Sequence, residues 1–207
     1  MILYFTIITV ACGIITMLNF AMPITEYAHF QLWVMLILLL SVLGAFLLDL
    51  MCATIVHFMK NVWFDDNHKI YQVSKREKRF YEKLGIKDWK DKVWELGGMG
   101  GFSKRKMLDP SSPEYLWRFI IENNKGILTH ILCIMVGFVI MLILPGEFMI
   151  RIGLPVAIVN AILNFMTIMV LRYNIPRLQV AYKRACRVKG REATSIEIVS
   201  EVAVAQD

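Results

Sequence analysis

The sequence predicts an all-α, polytopic membrane protein with four transmembrane helices and cytoplasmic amphipathic helices. Three observations carry this. The chain has 207 residues, is 57% apolar and has a mean hydropathy of +0.54, more than a soluble domain of this length sustains. Its charge is segregated: 15 of the 23 Lys and Arg lie between Met59 and Gly126, seven follow Val170, and Arg151 is the one remaining. Between these basic segments lie four apolar stretches, residues 2–22, 29–58, 126–144 and 148–171. Each is long enough to cross a hydrocarbon core of roughly 30 Å at 1.5 Å rise per residue.

The first stretch lacks the basic start of a secretory signal and has the length of a full span, so a retained helix is expected. The second is longer than a crossing needs, which implies tilt or projection. Residues 59–126 and the tail after Leu171 are separated by two spans and therefore share a side. Both are basic, which places them, and with them both termini, in the cytoplasm of a multi-pass cell-membrane protein. The expected organisation is a first transmembrane hairpin (1–58), a basic amphipathic loop (59–125), a second hairpin (126–171) and a basic tail (172–207).

Within the loop, Phe80, Tyr81, Leu84, Trp89 and Trp94 alternate with Lys and Arg. This reads as an element lying on the inner leaflet, aromatics down and cations toward anionic headgroups, so membrane lipid is the expected partner. Nucleic acid uses similar ingredients, but the flanking spans already supply a partner for them, and none is expected. The run Gly97–Gly101, followed by Lys104, Arg105 and Lys106, fits a flexible turn beside a headgroup patch or a phosphate-binding site; it matches neither the P-loop nor the dinucleotide fingerprint. Further on, Ser112, Pro113 and Glu114 read as the N-cap, first residue and first turn of a helix that leads toward the third span.

Ionisable groups inside a bilayer are costly and face a bundle interior or a cavity. With His29 and Arg151 at span ends, three remain: Asp49, His57 and His130. Small and polar residues share helical faces with them. Asn160, Asn164 and Thr167 recur at i, i+4, i+7; His130, Cys133 and Gly137 do likewise; Ser41, Ala45, Asp49 and Cys52 form a third stripe. Such stripes serve interhelical packing, while for Asp49 and His130 packing and chemistry are both open. Cys12, Cys52, Cys133 and Cys186 show no zinc-ligand spacing and read as free thiols, and no metal is expected. Where the fourth span exits, Arg172 and Tyr173 suit an interface. Asn174 and Pro176 are expected to break the helix, leaving Arg172 and Arg177 as a carboxylate or phosphate clamp.

Three blocks, RFYEKLGIKDWKDKVWELGG, EYLWRFIIENNKGILTH and LNFMTIMVLRYNIPRL, resemble the small membrane acyltransferases of staphyloxanthin-type carotenoid synthesis, the glycosyl-4,4'-diaponeurosporenoate acyltransferases. They stand in that family's order and cover roughly residues 64–187. Lys87, Trp89, Lys90 and Asp91 match its basic-tryptophan block. Glu122 and His130 match its glutamate and histidine, and Asn164, Arg172, Tyr173, Asn174, Pro176, Arg177 and Leu178 match its last block. Lys125-Gly126-Ile127-Leu128 replaces an Arg-Ala-Glu-Leu run, Met166 a proline, and Ile175 a cation.

The resemblance implies transfer of a fatty acyl group from acyl-CoA, as co-substrate rather than resident cofactor, to a sugar hydroxyl on a lipid-like acceptor. It implies His130 as general base, since a neutral imidazole suits proton abstraction near pH 7. Glu122 or Asp49 would orient it. Glu122 lies eight residues away, roughly 12 Å along a straight helix, so contact would need a bend at Gly126. Asn164 and Arg172 are the expected oxyanion donors. Tyr173, Asn174 and Arg177 are expected at the substrate, and Lys104, Arg105 and Lys106 at the phosphates of CoA. The competing expectation is a non-catalytic membrane partner or lipid-binding scaffold, in which these side chains only join helices. A different lipid-modifying enzyme would need more nucleotide-binding features than the chain carries.

Overall fold

The computed structural model describes residues 2–23, 29–65, 68–93 and 109–204, with side chains as far as residue 190. Its helices are α1 (Ile2–Ala21), α2 (Phe30–His57), α3 (Lys75–Lys83), α4 (Ile86–Trp89), α5 (Pro113–Gly137), α6 (Val139–Ile143) and α7 (Leu154–Val204). Short 3-10 turns cover Asn61–Phe64, Lys69–Tyr71 and Lys90–Lys92, and a π-helical turn, Met149–Gly153, leads into α7. No strand occurs among the described residues. Four helical segments are long and apolar enough to cross a membrane: Ile2–Ala21, Phe30–His57, Pro113–Ile143 and Met149–Gly190.

The centre of the bundle is the α5–α7 pair, with α2 against α5 and α1 at the side. On α2 the buried residues Phe30, Val34, Leu38, Ser41, Ala45, Cys52 and Val56 form one stripe. The opposite face is equally apolar but open, with Leu39 65% and Phe46 64% exposed, as suits a helix whose surroundings are hydrocarbon rather than water. Tyr4, near the start of α1, donates to Leu163 O (3.2 Å) and shares a hydrogen bond with Thr167 Oγ1 (2.5 Å). At the other end of α1, Asn19 donates to Arg151 O. These two ties fix α1 antiparallel to α7 and bring its N-terminal end to the polar end of the bundle.

The start of α5 follows the sequence rules. Ser112 Oγ accepts from Tyr115 N–H, Asp109 Oδ1 accepts from the N–H groups of Ser111 and Ser112, and Pro113 occupies the first turn. The expected boundary at 125–126 falls inside this single helix. Gly126 lets α5 approach α7 closely: a β-carbon there would sit 3.0 Å from Leu171 Cδ1.

Two expectations are corrected. The helix does not break at Asn174–Pro176; α7 continues unbroken through Pro176. Proline removes one backbone hydrogen bond at a cost of about 3 kcal/mol. Around it Tyr173, Ile175 and Leu178 are all buried and hold the helix in place by packing. Nor do all the loop aromatics face outward as a leaflet-bound surface. Tyr81 is buried in a cluster with Ile86, Val93, Met169, Val170 and Tyr173, whereas Phe80 and Leu84 are exposed. The segment 75–93 is thus docked on α7. Trp94, Gly97–Gly101 and Lys104, Arg105 and Lys106 lie outside the described residues.

Candidate functional site

Three apolar helices bring their polar side chains together at one level. Asp49 comes from α2, His130 and Cys133 from α5, Asn160 and Asn164 from α7. His130 Nδ1 lies 2.6 Å from Asn164 Oδ1. An amide oxygen only accepts, so the ring nitrogen carries the proton in this bond. The amide nitrogen of Asn164 then donates toward Asp49 Oδ2 (3.1 Å), Asn160 O (3.0 Å) and Asn160 Oδ1 (3.1 Å). A rotated amide would turn its oxygen onto those three acceptors, so the network itself fixes the orientation. The second carboxylate oxygen, Asp49 Oδ1, accepts from Asn160 Nδ2 at 3.4 Å, a donor that also reaches Cys133 O at 3.4 Å. Cys133 Sγ faces Asp49 O at 3.8 Å.

The chemical consequence concerns the imidazole. With Nδ1–H committed to Asn164, the neutral ring has its lone pair on Nε2. The chain Asp49 carboxylate, Asn164 amide, His130 ring orients a base and directs negative charge toward it, with an amide standing between acid and histidine. Asn164 is buried, while Asp49 and His130 are each half-buried.

The other candidate residues gather elsewhere. Arg172 lies eight residues beyond Asn164, roughly 12 Å along the helix. There it is ion-paired with Glu77 of α3 and donates to the carbonyls of Ile70 and Gln72. Tyr173 is fully buried; its hydroxyl donates to Glu82 Oε1 (3.3 Å) and its ring lies 5.2 Å from the exposed Arg177 guanidinium. Asn174 is half-buried on the same turn. Glu122 pairs with Lys125 on its own helix at 2.9 Å, and Lys125 sits over the Phe64 ring. The candidate residues therefore form two groups: the Asp49–Asn164–His130 network within the apolar zone, and the Glu77–Arg172 and Glu82–Tyr173 contacts at the polar end. Asn164 and Arg172, expected to face an oxyanion, direct most of their N–H groups to protein acceptors.

At the polar end, burial alone would raise the Glu77 carboxyl. The Arg172 guanidinium and the Tyr81 hydroxyl outweigh it and hold the group below its ordinary value. Tyr81 is pushed up to about 12, by burial first and then by its bond to Glu77.

Sequence reasoning placed Asn160 only in a packing stripe, not in the site, and did not single out Glu77. Asn160 was legible, because it stands one turn before Asn164 on the same face. Glu77 was not, since nothing local marks which loop acid will meet Arg172. Among the described residues no group of His, Cys, Asp and Glu could hold a metal ion.

Residues 60–184 match the family model described as glycosyl-4,4'-diaponeurosporenoate acyltransferase. The match takes in α3 to α6 and most of α7, more than half of the chain, and begins after α2, so Asp49 lies outside it. No curated protein and no solved structure matches the chain.

Proposed function

The chain belongs to the glycosyl-4,4'-diaponeurosporenoate acyltransferase family, and from that premise we propose that it is a membrane acyltransferase. It moves a fatty acyl group from acyl-CoA to a hydroxyl of a lipid-like acceptor, a glycosylated isoprenoid or carotenoid. The observation that carries the reading is the committed Nδ1–H of His130, which leaves Nε2 as the basic nitrogen of a ring tied through Asn164 to Asp49.

In the proposed reaction His130 Nε2 removes the hydroxyl proton as the acceptor oxygen attacks the thioester carbon. The new C–O bond forms, the C–S bond breaks, and the proton passes from the imidazolium to the departing thiolate. Asp49 and Asn164 hold the ring and stabilise the imidazolium. The depth of the histidine favours a lipid-like acceptor. A reacting hydroxyl must come roughly 12 Å inward from the level of Arg172, which suits a molecule already dissolved in the bilayer. Asn174 and Arg177, on the turn that the buried Tyr173 anchors, would line its approach. Lys104, Arg105 and Lys106 would meet the phosphates of CoA; the positive-inside bias supports a cytoplasmic face for that donor, on a cell-membrane protein.

The test is acyl transfer in membranes carrying the protein, with labelled acyl-CoA and a glycosylated isoprenoid lipid. His130→Ala is expected to lose at least a hundredfold in turnover, about the lower bound for a general base. Undiminished turnover in that variant removes His130 as the base. A protein that assembles normally yet transfers no acyl group to any glycolipid acceptor would favour a scaffold in which the network only joins helices.

A further inference from the structure

Resting on the reading of His130 as base, we propose that Asn160 is a positioning residue for it, seated in a notch that Gly137 leaves on α5. Asn160 touches neither the imidazole nor any reacting atom by this reading. Its amide group does two things at once. Nδ2 donates to Asp49 Oδ1, and Oδ1 accepts from Asn164 Nδ2 at 3.1 Å. The two oxygens of Asp49 are thereby divided between two amides, Asn160 on one and Asn164 on the other. A carboxylate held on one oxygen alone can rotate away from its partner; held on both, it keeps Oδ2 on Asn164. Asn164 in turn presents only its oxygen to His130, and that fixes which ring nitrogen carries the proton.

Gly137 makes this arrangement possible. A β-carbon added there would lie 2.6 Å from Asn160 Nδ2, closer than such atoms approach. The obstructed atom is the end of a side chain, so the helices need not separate: the amide would swing off Asp49 and off Cys133 O instead. Gly137 is the last residue of α5, one helical turn after Cys133, whose carbonyl also accepts from Asn160, so its lack of a side chain is a local feature of this contact.

The consequence is a specific epistasis. Asn160→Ala empties the notch, and Gly137→Ala fills it. Each removes the same amide from the same carboxylate, so each is expected to lower kcat by about a hundredfold, the scale of a misplacement near 1 Å, with KM for donor and acceptor unchanged. The double variant should equal Asn160→Ala alone, because the new methyl group then enters vacant space. Losses that multiply would overturn the proposal, since Gly137 would then be acting through something else.

A second readout does not depend on turnover. Nitrogen-15 spectra of histidine-labelled protein distinguish the two neutral tautomers, and His130→Ala identifies the signal. The wild-type ring is expected as the Nδ1–H form, and both single variants as a mixture. A pure Nδ1–H signal in both variants overturns the proposal even if activity falls. If His130→Ala retains full turnover, the base reading fails, while the spectrum still decides whether Asn160 sets the tautomer. Thermal melting of each purified variant shows that a folded protein is being compared.

Discussion

Arg172 of α7 and Glu77 of α3 form the main ionic tie between the membrane bundle and the polar segment before α5. Nη2 meets Glu77 Oε2 at 3.0 Å, and both side chains are largely buried. The same guanidinium also holds the carbonyls of Ile70 and Gln72. One side chain on a transmembrane helix therefore organises the 3-10 turn at 69–71 and the start of α3. Removing the acid leaves a half-buried cation without its counter-charge. Glu77→Gln is expected to destabilise the docked segment by about 2 kcal/mol, in the range for hydrogen bonds to charged groups. Faster backbone exchange across residues 75–83, with α5 unchanged, is the measurement that checks it.

The same pair predicts an acid response. The folded-state Glu77 carboxyl lies below its ordinary value of 4.5, so its contribution is complete above that value. It is lost as pH falls through the lower folded value. Exchange protection of α3 should therefore decline below about pH 4.5, and Glu77→Gln should abolish that dependence. Tyr81 behaves oppositely, its hydroxyl raised to about 12. Its contribution holds below the ordinary value of 10.0 and disappears as pH rises toward the folded value, so its tyrosinate absorbance should appear late in an alkaline titration.

Gly126 gives a packing prediction. Its missing side chain faces the tip of Leu171, a flexible group that can move by a few tenths of an ångström. Gly126→Ala should be close to neutral, because about 1 kcal/mol of helix propensity offsets the contact. Gly126→Val brings two methyl groups against the same atom and should cost roughly 1–3 kcal/mol by overpacking. Melting temperatures in detergent, compared between the two variants, separate these outcomes.

The spans were legible because hydrocarbon demands long apolar runs, and α1 and α2 obey that rule over most of their surface. The cap at Ser112 was legible because local chemistry fixes it. Pro176 was misread for the opposite reason. Its local preference is for a break, but the buried Tyr173, Ile175 and Leu178 around it hold a continuous helix. Asp49, His130 and Asn164 were each visible as misplaced polar groups, yet their direct connection is a property of three helices at one register. The partner of Arg172 is 95 residues away, and no spacing rule reaches that far.

Asp49 lies outside the family-matched segment, so its role must be established on this chain. Its carboxylate accepts from two amides at once, and an uncharged isostere cannot do so. Asp49→Asn places an NH2 group against one of two donors, losing at least one hydrogen bond together with the charge that stabilises the imidazolium. If the residue only joins helices, the loss is one of stability. Interhelical hydrogen bonds in membranes contribute about 0.6–1.7 kcal/mol, and turnover per folded molecule would be unchanged. If it orients His130, turnover should fall by roughly tenfold to a thousandfold while the melting temperature moves little, as for other groups that support a general base. Asp49→Leu, which keeps the branched shape but is larger and removes all polarity, should lose as much activity as Asp49→Asn or more. Measuring turnover per folded molecule beside the melting curve for both variants distinguishes the two roles.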